Sequence, residues 1–198
     1  ERPVRHVDRV SGMTYVAFVA SAAGGGGTIT TSFTNGNSTQ NFSQSGSLDK
    51  FDSSLGTLVS ATIRLTLHYQ MTGTATLFGG SPPYDILLME QCSMNATSSL
   101  SALNSIFLTT NPEIDDYVLT PIVSIDFGNS PYAFATVSST VFVDISLNSI
   151  LASLTGSGTF TVSASSISSL VLGGGDGFVS VSGTEIGGFD ASITYTYT

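Results

Sequence analysis

The sequence is poor in cationic side chains, contains no tryptophan and has one cysteine. Five Lys and Arg face fourteen Asp and Glu, a net charge of −9. Nucleic-acid binding needs clustered cations that displace phosphate counterions, so this balance argues against such partners. One cysteine excludes an intramolecular disulfide. We interpret Cys92 as a small apolar residue rather than a nucleophile or an intermolecular bridge, because both histidines lie far away in sequence.

Long apolar runs are also missing: none approaches the roughly 18 residues that a membrane span requires. Polarity comes from hydroxyl groups instead, with 32 Ser and 25 Thr in 198 residues. A hydrophobic fraction of 41% is too high for intrinsic disorder. The hydroxyl-rich, lysine-poor composition favours an exported protein, and Glu1 as first residue fits a secreted mature form whose leader was removed.

Alternation with a period of two is the dominant pattern. It is clearest over Val59–Tyr69, where every second residue is apolar, as in a strand with one buried face. Further strands are predicted at Thr14–Ala20, Thr28–Phe33, Met71–Phe78, Tyr84–Met89, Pro121–Phe127, Tyr132–Ile145, Ser157–Ala164, Gly177–Ser182 and Ala191–Thr198. About ten short strands predict an all-β, single-domain β-sandwich of jelly-roll type.

Other local patterns predict short helices and breaks between the strands. One or two short helices are expected, at Thr97–Ser105 and at Ser146–Leu154, the latter capped by Asp144 or its own first residue. Gly187-Gly188 predicts a turn, since glycine readily adopts positive φ. The polar stretch Thr34–Ser47 is expected to be an exposed loop.

The N-terminal segment differs from the rest of the chain. Residues 1–23 hold three of the five cations and an apolar stretch before Gly24–Gly27, whereas residues 24–198 form the predicted sandwich domain. This arm could donate a strand to a neighbouring acidic copy; alternatively, Thr14–Ala20 is the first strand of its own domain. The arm residues of interest are Arg2, Arg5, Arg9, Tyr15, Val16, Phe18 and Val19.

The segment Leu48–Ile63, LDKFDSSLGTLVSATI, resembles the F-D/N-P-x-L-G-x-L opening of choice-of-anchor E-type domains. Leu154–Val162 and the closing Ile193–Thr198 agree with this resemblance. Those domains belong to exported bacterial proteins, often with a Pro-Glu-Pro sorting tail. Here Ser53 replaces the usual proline, and no such tail follows Thr198. The resemblance implies a surface or matrix location without a known catalytic site, and assembly with its own copies is one alternative means of retention.

Acidic and aromatic loop residues suggest ligand sites. Calcium prefers six to eight oxygen ligands from loops, and Asp115, Asp116 and Asp126 are the first candidates. A second acidic set is formed by Asp176, Glu185 and Asp190. Ordinary acidic turns are the favoured explanation for both sets.

Tyr84 and Tyr132 lie beside prolines and could stack on a sugar, or could pack within their loops. Three N-x-[ST] sequons make Asn37, Asn41 and Asn95 candidates for glycosylation if the host modifies such sites.

Together these patterns predict a non-catalytic extracellular structural protein, whose partners are copies of itself in a homopolymer or matrix. No organic cofactor is expected. The alternative is a secreted, calcium-dependent glycan-binding module. A hydrolase using buried carboxylates has no positive feature in the sequence.

Overall fold

The computed structural model describes residues 18–19, 26–39, 41–77, 84–110, 116–125, 131–173 and 179–198. The strands in chain order are β1 (Phe18–Val19), β2 (Gly27–Thr34), β3 (Ser38–Thr39), β4 (Ser43–Asp49), β5 (Leu58–Leu77), β6 (Tyr84–Ser98), β7 (Asp116–Ile125), β8 (Tyr132–Ser146), β9 (Thr159–Gly173) and β10 (Val179–Tyr197). The helices are α1 (Ser101–Thr110) and α2 (Leu151–Leu154), with 3₁₀ turns at Ser53–Leu55 and Asn148–Ile150.

These strands form two antiparallel sheets, which confirms the all-β prediction. The first sheet has the order β1-β2-β10-β5-β8, with β3 also paired to β10. The second has the order β4-β9-β6-β7. The prediction of short strands is wrong, because β5 has 20 residues, β10 has 19, and β6, β8 and β9 have 15 each.

The alternation in β5 explains why the sheet has one dry face. Apolar side chains from Ala61 to Met71 are buried at every second position, and Thr62 and Arg64 between them are exposed. Because side chains alternate across a strand, a slip of one residue would expose this whole set. Val59, predicted on the buried face, is 50% exposed near the start of the strand.

A single buried cluster takes residues from both sheets and from α1. Phe33 of β2 meets Phe189 of β10 edge-to-face, with ring centroids 5.5 Å apart. Aromatic pairs favour this arrangement because the positive ring edge faces the negative ring face. Leu48 of β4 and Leu103 of α1 are also buried in this cluster, so the two sheets share one core.

Glycine positions account for one wrong prediction. Gly187-Gly188 is not a turn but lies inside β10, paired with Tyr69 and His68 of β5. A Cβ at Gly188 would collide with the His68 ring, so this glycine gives the ring space instead of bending the chain. The predicted strands on either side of the pair therefore join into one. Val59–Tyr69 and Met71–Phe78 likewise merge into β5.

The predicted exposed loop Thr34–Ser47 is largely strand. It contains β3 and most of β4, and β4 pairs with β9 from Ser43↔Ser165 to Asp49↔Thr159. The sequence misleads here because Gly46 supplies no apolar side chain, yet it is buried where the Phe33 ring packs.

The helices begin later than predicted. Ser98 still pairs with Val162 in the second sheet, and its hydroxyl accepts a hydrogen bond from the Leu100 amide, so α1 starts at Ser101. Asp144 is no helix cap, since it belongs to β8 and binds Arg64. Within the described ranges, no helix has the length and apolar character needed to cross a membrane.

Candidate assembly edge

The outer side of β2 is a strand edge. β2 pairs with β10 along its whole length, from Gly27↔Tyr197 to Thr34↔Asp190. On its other side, β1 supplies two partners, Phe18↔Thr30 and Val19↔Ile29. Among the described residues, no other strand pairs with this side of β2. Within the described residues, β2 is therefore an edge strand whose outer side β1 covers at two positions.

Buried side chains on the inner face of β2 fix its register. Thr31 and Phe33 are buried on its inner face, and Thr28 and Thr34 on the other face are exposed. The Phe33 ring packs where a Cβ at Gly46 would collide with it. Moving β2 by one residue would bring polar side chains into the core, so this edge presents its backbone in one register.

Hydrogen bonds tie the β2 side of the first sheet to β4 of the second. The Asp49 amide donates to the Thr31 hydroxyl over 3.3 Å, and the Tyr195 hydroxyl donates to the Asp49 carbonyl over 2.7 Å. The Gln44 side chain donates to the Gly36 carbonyl and accepts from the Phe189 amide, both over 2.8 Å. These bonds link β4 of the second sheet to β2, to β10 and to Gly36 after β2, so the β2 side of the first sheet is bonded to the second sheet.

A half-buried carboxylate lies at the far end of β2. The Asn35 amide donates to Asp190 Oδ1 over 3.0 Å, and His68 Nδ1 lies 3.7 Å from Asp190 Oδ2. Burial raises the pKa of Asp190, while the Asn35 bond and His68 oppose that rise. His68 resembles the base of a catalytic dyad, but its ring lies against Gly188, where a Cβ would collide with Nε2. This packing disfavours a serine nucleophile at that nitrogen.

The opposite edge of the first sheet is β8, whose described strand partner is β5 alone. Its Asp144 carboxylate accepts two hydrogen bonds from Arg64, each 2.7 Å long. This bond raises the pKa of Arg64 and lowers the pKa of Asp144. The Arg64 guanidinium also lies 4.1 Å from the centre of the exposed Phe142 ring. The negative charge of Asp144 on this edge is therefore balanced by Arg64 of the same chain.

The structure describes two of the predicted arm residues. Phe18 and Val19 form β1 and pair with β2 of the same chain, as expected if this segment is the first strand of its own domain. The predicted residues Arg2, Arg5, Arg9, Tyr15 and Val16 lie outside the described residues.

The proposed calcium ligands are not brought together by the described residues. Asp115, Asp126 and Asp176 lie outside them, and Asp116 pairs with Cys92 at the start of β7. Glu185 and Asp190 lie five residues apart in β10, so their side chains leave opposite faces of the strand. In the part of the chain that is described, no three His, Cys, Asp or Glu are grouped to hold a metal ion.

The sequons lie in different settings. Asn37 is exposed between β2 and β3, and Asn41 is exposed just before β4 with a φ of 61°. Asn95 is exposed but lies within β6, where it pairs with Ser165. A paired strand makes a poor acceptor segment because its backbone is already engaged in a ladder. Tyr84 and Tyr132 are the first residues of β6 and β8.

Sequence reasoning did not single out Gln44 and Asn35, which connect the β2 side of the molecule. Gln44 bonds to Phe189, 145 residues away, and Asn35 bonds to the Phe189 carbonyl, 154 residues away. Neither pairing leaves a local pattern in the sequence.

The chain was compared with known proteins. No family model matches it, and no curated protein matches it.

Proposed function

We propose that this chain is a non-catalytic structural protein of the cell surface or extracellular matrix. It assembles with its own copies when the N-terminal arm, residues 1–23, passes its strand to a neighbour. The observation that carries the proposal is the partly covered β2 edge, where the only described outer partner is the two-residue β1. An edge of this kind presents backbone groups that a further strand can bind.

The body of the protein, in this proposal, is a jelly-roll-like β-sandwich. Two observations support it: both sheets contribute to one buried cluster, and Tyr195 of the first sheet bonds to Asp49 of the second. Sheets that face each other bury their inner side chains in this way. The hydroxyl-rich, charge-poor composition supports a location outside the cell.

Charge supports attraction between the arm and a second copy. Residues 1–9 carry three arginines and two carboxylates, a net charge of +1, whereas residues 10–198 contain two cations and twelve carboxylates, a net charge of −10. Opposite charge speeds the encounter of two chains and weakens with added salt.

Deleting residues 1–23 tests the proposal. We expect the full chain to form ordered assemblies in electron micrographs, and the deleted chain to stay monomeric in light scattering. Because β1 pairs with only two residues of β2, the deleted chain should keep its β-sheet circular dichroism. A full-length variant with Arg2, Arg5 and Arg9 changed to Ser serves as the matched control, and should assemble more slowly. Assembly that persists unchanged after the deletion would contradict the proposal.

A further inference from the structure

We propose that the acceptor of the donated strand is the β2 edge of a second copy, in the register that Phe18–Val19 holds within one chain. This inference rests on the proposed function and adds the acceptor and the register. β1 then leaves its own β2 and makes the same two pairings, Phe18↔Thr30 and Val19↔Ile29, on its neighbour.

The exchange costs little because both arrangements contain the same contacts. Within one chain, β1 consists of two residues and two backbone pairings. A neighbour's β2 offers an identical edge, so the balance between closed and exchanged forms depends mainly on concentration and on strain in the connection. Residues 20–26 connect β1 to β2 and include three glycines, which allow the connection to extend.

The length of chain before β1 also fits this acceptor. Seventeen residues precede Phe18. Because β1 runs antiparallel to β2, Phe18, its N-terminal residue, is on the side of β1 that faces the Thr34 end of β2. Four further residues of β2, Thr31 to Thr34, lie in that direction without a described outer strand, which gives the arm more edge to pair with.

Charge is complementary at that end of the edge. Asp190 pairs with Thr34, the last residue of β2, and its carboxylate is 27% exposed. The exposed residue Asp49 is also close to β2, because its backbone amide donates a hydrogen bond to the Thr31 hydroxyl. The arm carries Arg2, Arg5 and Arg9 together with Glu1 and Asp8; this register would place Thr14 opposite Thr34, so the arginines would reach past that end of β2.

The β8 edge is longer but is less suited to the arm. The charge of Asp144 is already matched by Arg64 through two hydrogen bonds, and the Phe142 ring lies against the same guanidinium. No described segment pairs along the outer side of β8, so the described residues set no register there. β8 is therefore the competing acceptor that the experiment must test.

Disulfide trapping between two kinds of chain separates the acceptors. All chains carry Cys92→Ser, which removes the single native thiol. One chain carries Phe18→Cys and is mixed with a chain carrying Thr30→Cys, assembled, and oxidised. Residues directly opposite in an antiparallel pair have Cα atoms about 4.5–5.5 Å apart, within disulfide range. A disulfide between the two kinds of chain that exceeds the background of random collisions indicates that β1 has moved to a neighbour.

We expect a mixed-chain dimer on a non-reducing gel, at least fivefold more abundant than in two controls. The register control pairs Phe18→Cys with Ser32→Cys, two residues further along β2. The edge control pairs Phe18→Cys with Thr140→Cys, an exposed residue of β8. Trapping that favours Thr140, or no trapping in assemblies that still need residues 1–23, would overturn the β2 acceptor and leave the proposed function standing. Assembly that does not need residues 1–23 would overturn the proposed function itself.

A chain with both Phe18→Cys and Thr30→Cys provides a second measurement. Oxidised at high dilution, it should close on itself, remain monomeric, and assemble again after reduction. Its reduced form controls for folding. A closed chain that assembles as well as the reduced one would also overturn the acceptor.

Discussion

The two faces of the first sheet differ sharply along the same strands. On the inner face of β5, Leu65 and Leu67 are fully buried and pack with the shared core. On its outer face, Thr62 and Arg64 are exposed, and a hydroxyl pair joins Thr30 of β2 to Thr194 of β10 over 2.9 Å. The inner face packs the shared core, whereas the outer face carries polar side chains. The function that we propose depends on a strand edge and leaves the core unchanged.

The largest expected difference between the faces comes from Leu65→Ala. Removing a fully buried leucine leaves a cavity, and we expect a loss of about 2–5 kcal/mol in the free energy of unfolding. The matched outer-face variant, Thr62→Ala, should change it by about 0.5 kcal/mol or less. Urea denaturation followed by circular dichroism measures both. Equal losses in the two variants would contradict the distinction between the faces.

Gly46→Ala tests how tightly the inner face of β2 is packed. The new methyl group would collide with the Phe33 ring, which Phe189 confines from another side, and we expect a loss of about 1–3 kcal/mol. Gly36→Ala is the control, since a Cβ there meets no atom within 4 Å. Adding Phe33→Leu to Gly46→Ala should recover part of the loss in the same urea measurement. A Gly46→Ala chain as stable as the control would show that the ring can move aside.

Tyr195→Phe tests the bond that joins the two sheets. The hydroxyl donates to the Asp49 carbonyl, and its loss should cost about 1 kcal/mol at neutral pH. Burial raises the pKa of Tyr195 in the folded chain, so above about pH 10 the unfolded phenol ionises while the folded one keeps its proton. The native chain should then lose stability relative to the variant as pH rises. A difference that stays constant across alkaline pH would contradict the raised pKa.

Asp190→Asn tests the half-buried carboxylate that lies beside Thr34, at the end of β2. Burial raises the pKa of Asp190, so its charged form is disfavoured in the folded chain. An unfolded aspartate titrates near about pH 3.9, and the native chain should lose stability relative to the variant as pH rises from there through the raised pKa. The gain in the variant at neutral pH should be on the order of 1 kcal/mol or less, because an asparagine oxygen can still accept the Asn35 amide. Urea denaturation midpoints of both chains, measured from pH 3 to pH 7, test this difference in stability. Midpoints that stay a constant distance apart across this range would contradict the raised pKa of Asp190.

Arg64→Ala, on the outer face of β5, is expected to have the smallest effect on stability. Its ion pair with Asp144 is solvent-exposed, so we expect no measurable change in the urea midpoint. The pKa of Asp144 should rise toward its usual value once the hydrogen bonds are lost. Carboxyl NMR titration follows that pKa directly. Arg64→Lys, which keeps the charge without the paired geometry, should restore part of the shift.

The sequence predicts strands best where burial follows the local pattern. The alternation around Leu65 and the run Tyr132–Ile145 both correspond to observed strands, β5 and β8. The sequence-based prediction fails at Gly46 and Gly188. These glycines leave space for the rings of Phe33 and His68, which are far away in sequence. The edge position of β2 could not be predicted either, because it depends on pairings such as β2 with β10, which are far apart in sequence.

The scarcity of cations gives the folded chain resistance to trypsin-like proteases. After Arg9, the residues such enzymes recognise are Lys50 and Arg64. Arg64 lies in β5 between two paired strands, and the Lys50 amide is bonded to the Gly158 carbonyl. A protease needs a segment of backbone free from such bonds, so cleavage of the native protein should be confined to its first nine residues. The body would then persist in the presence of trypsin-like enzymes, and a brief digestion could remove residues 1–9 while leaving Phe18–Val19 of β1 attached.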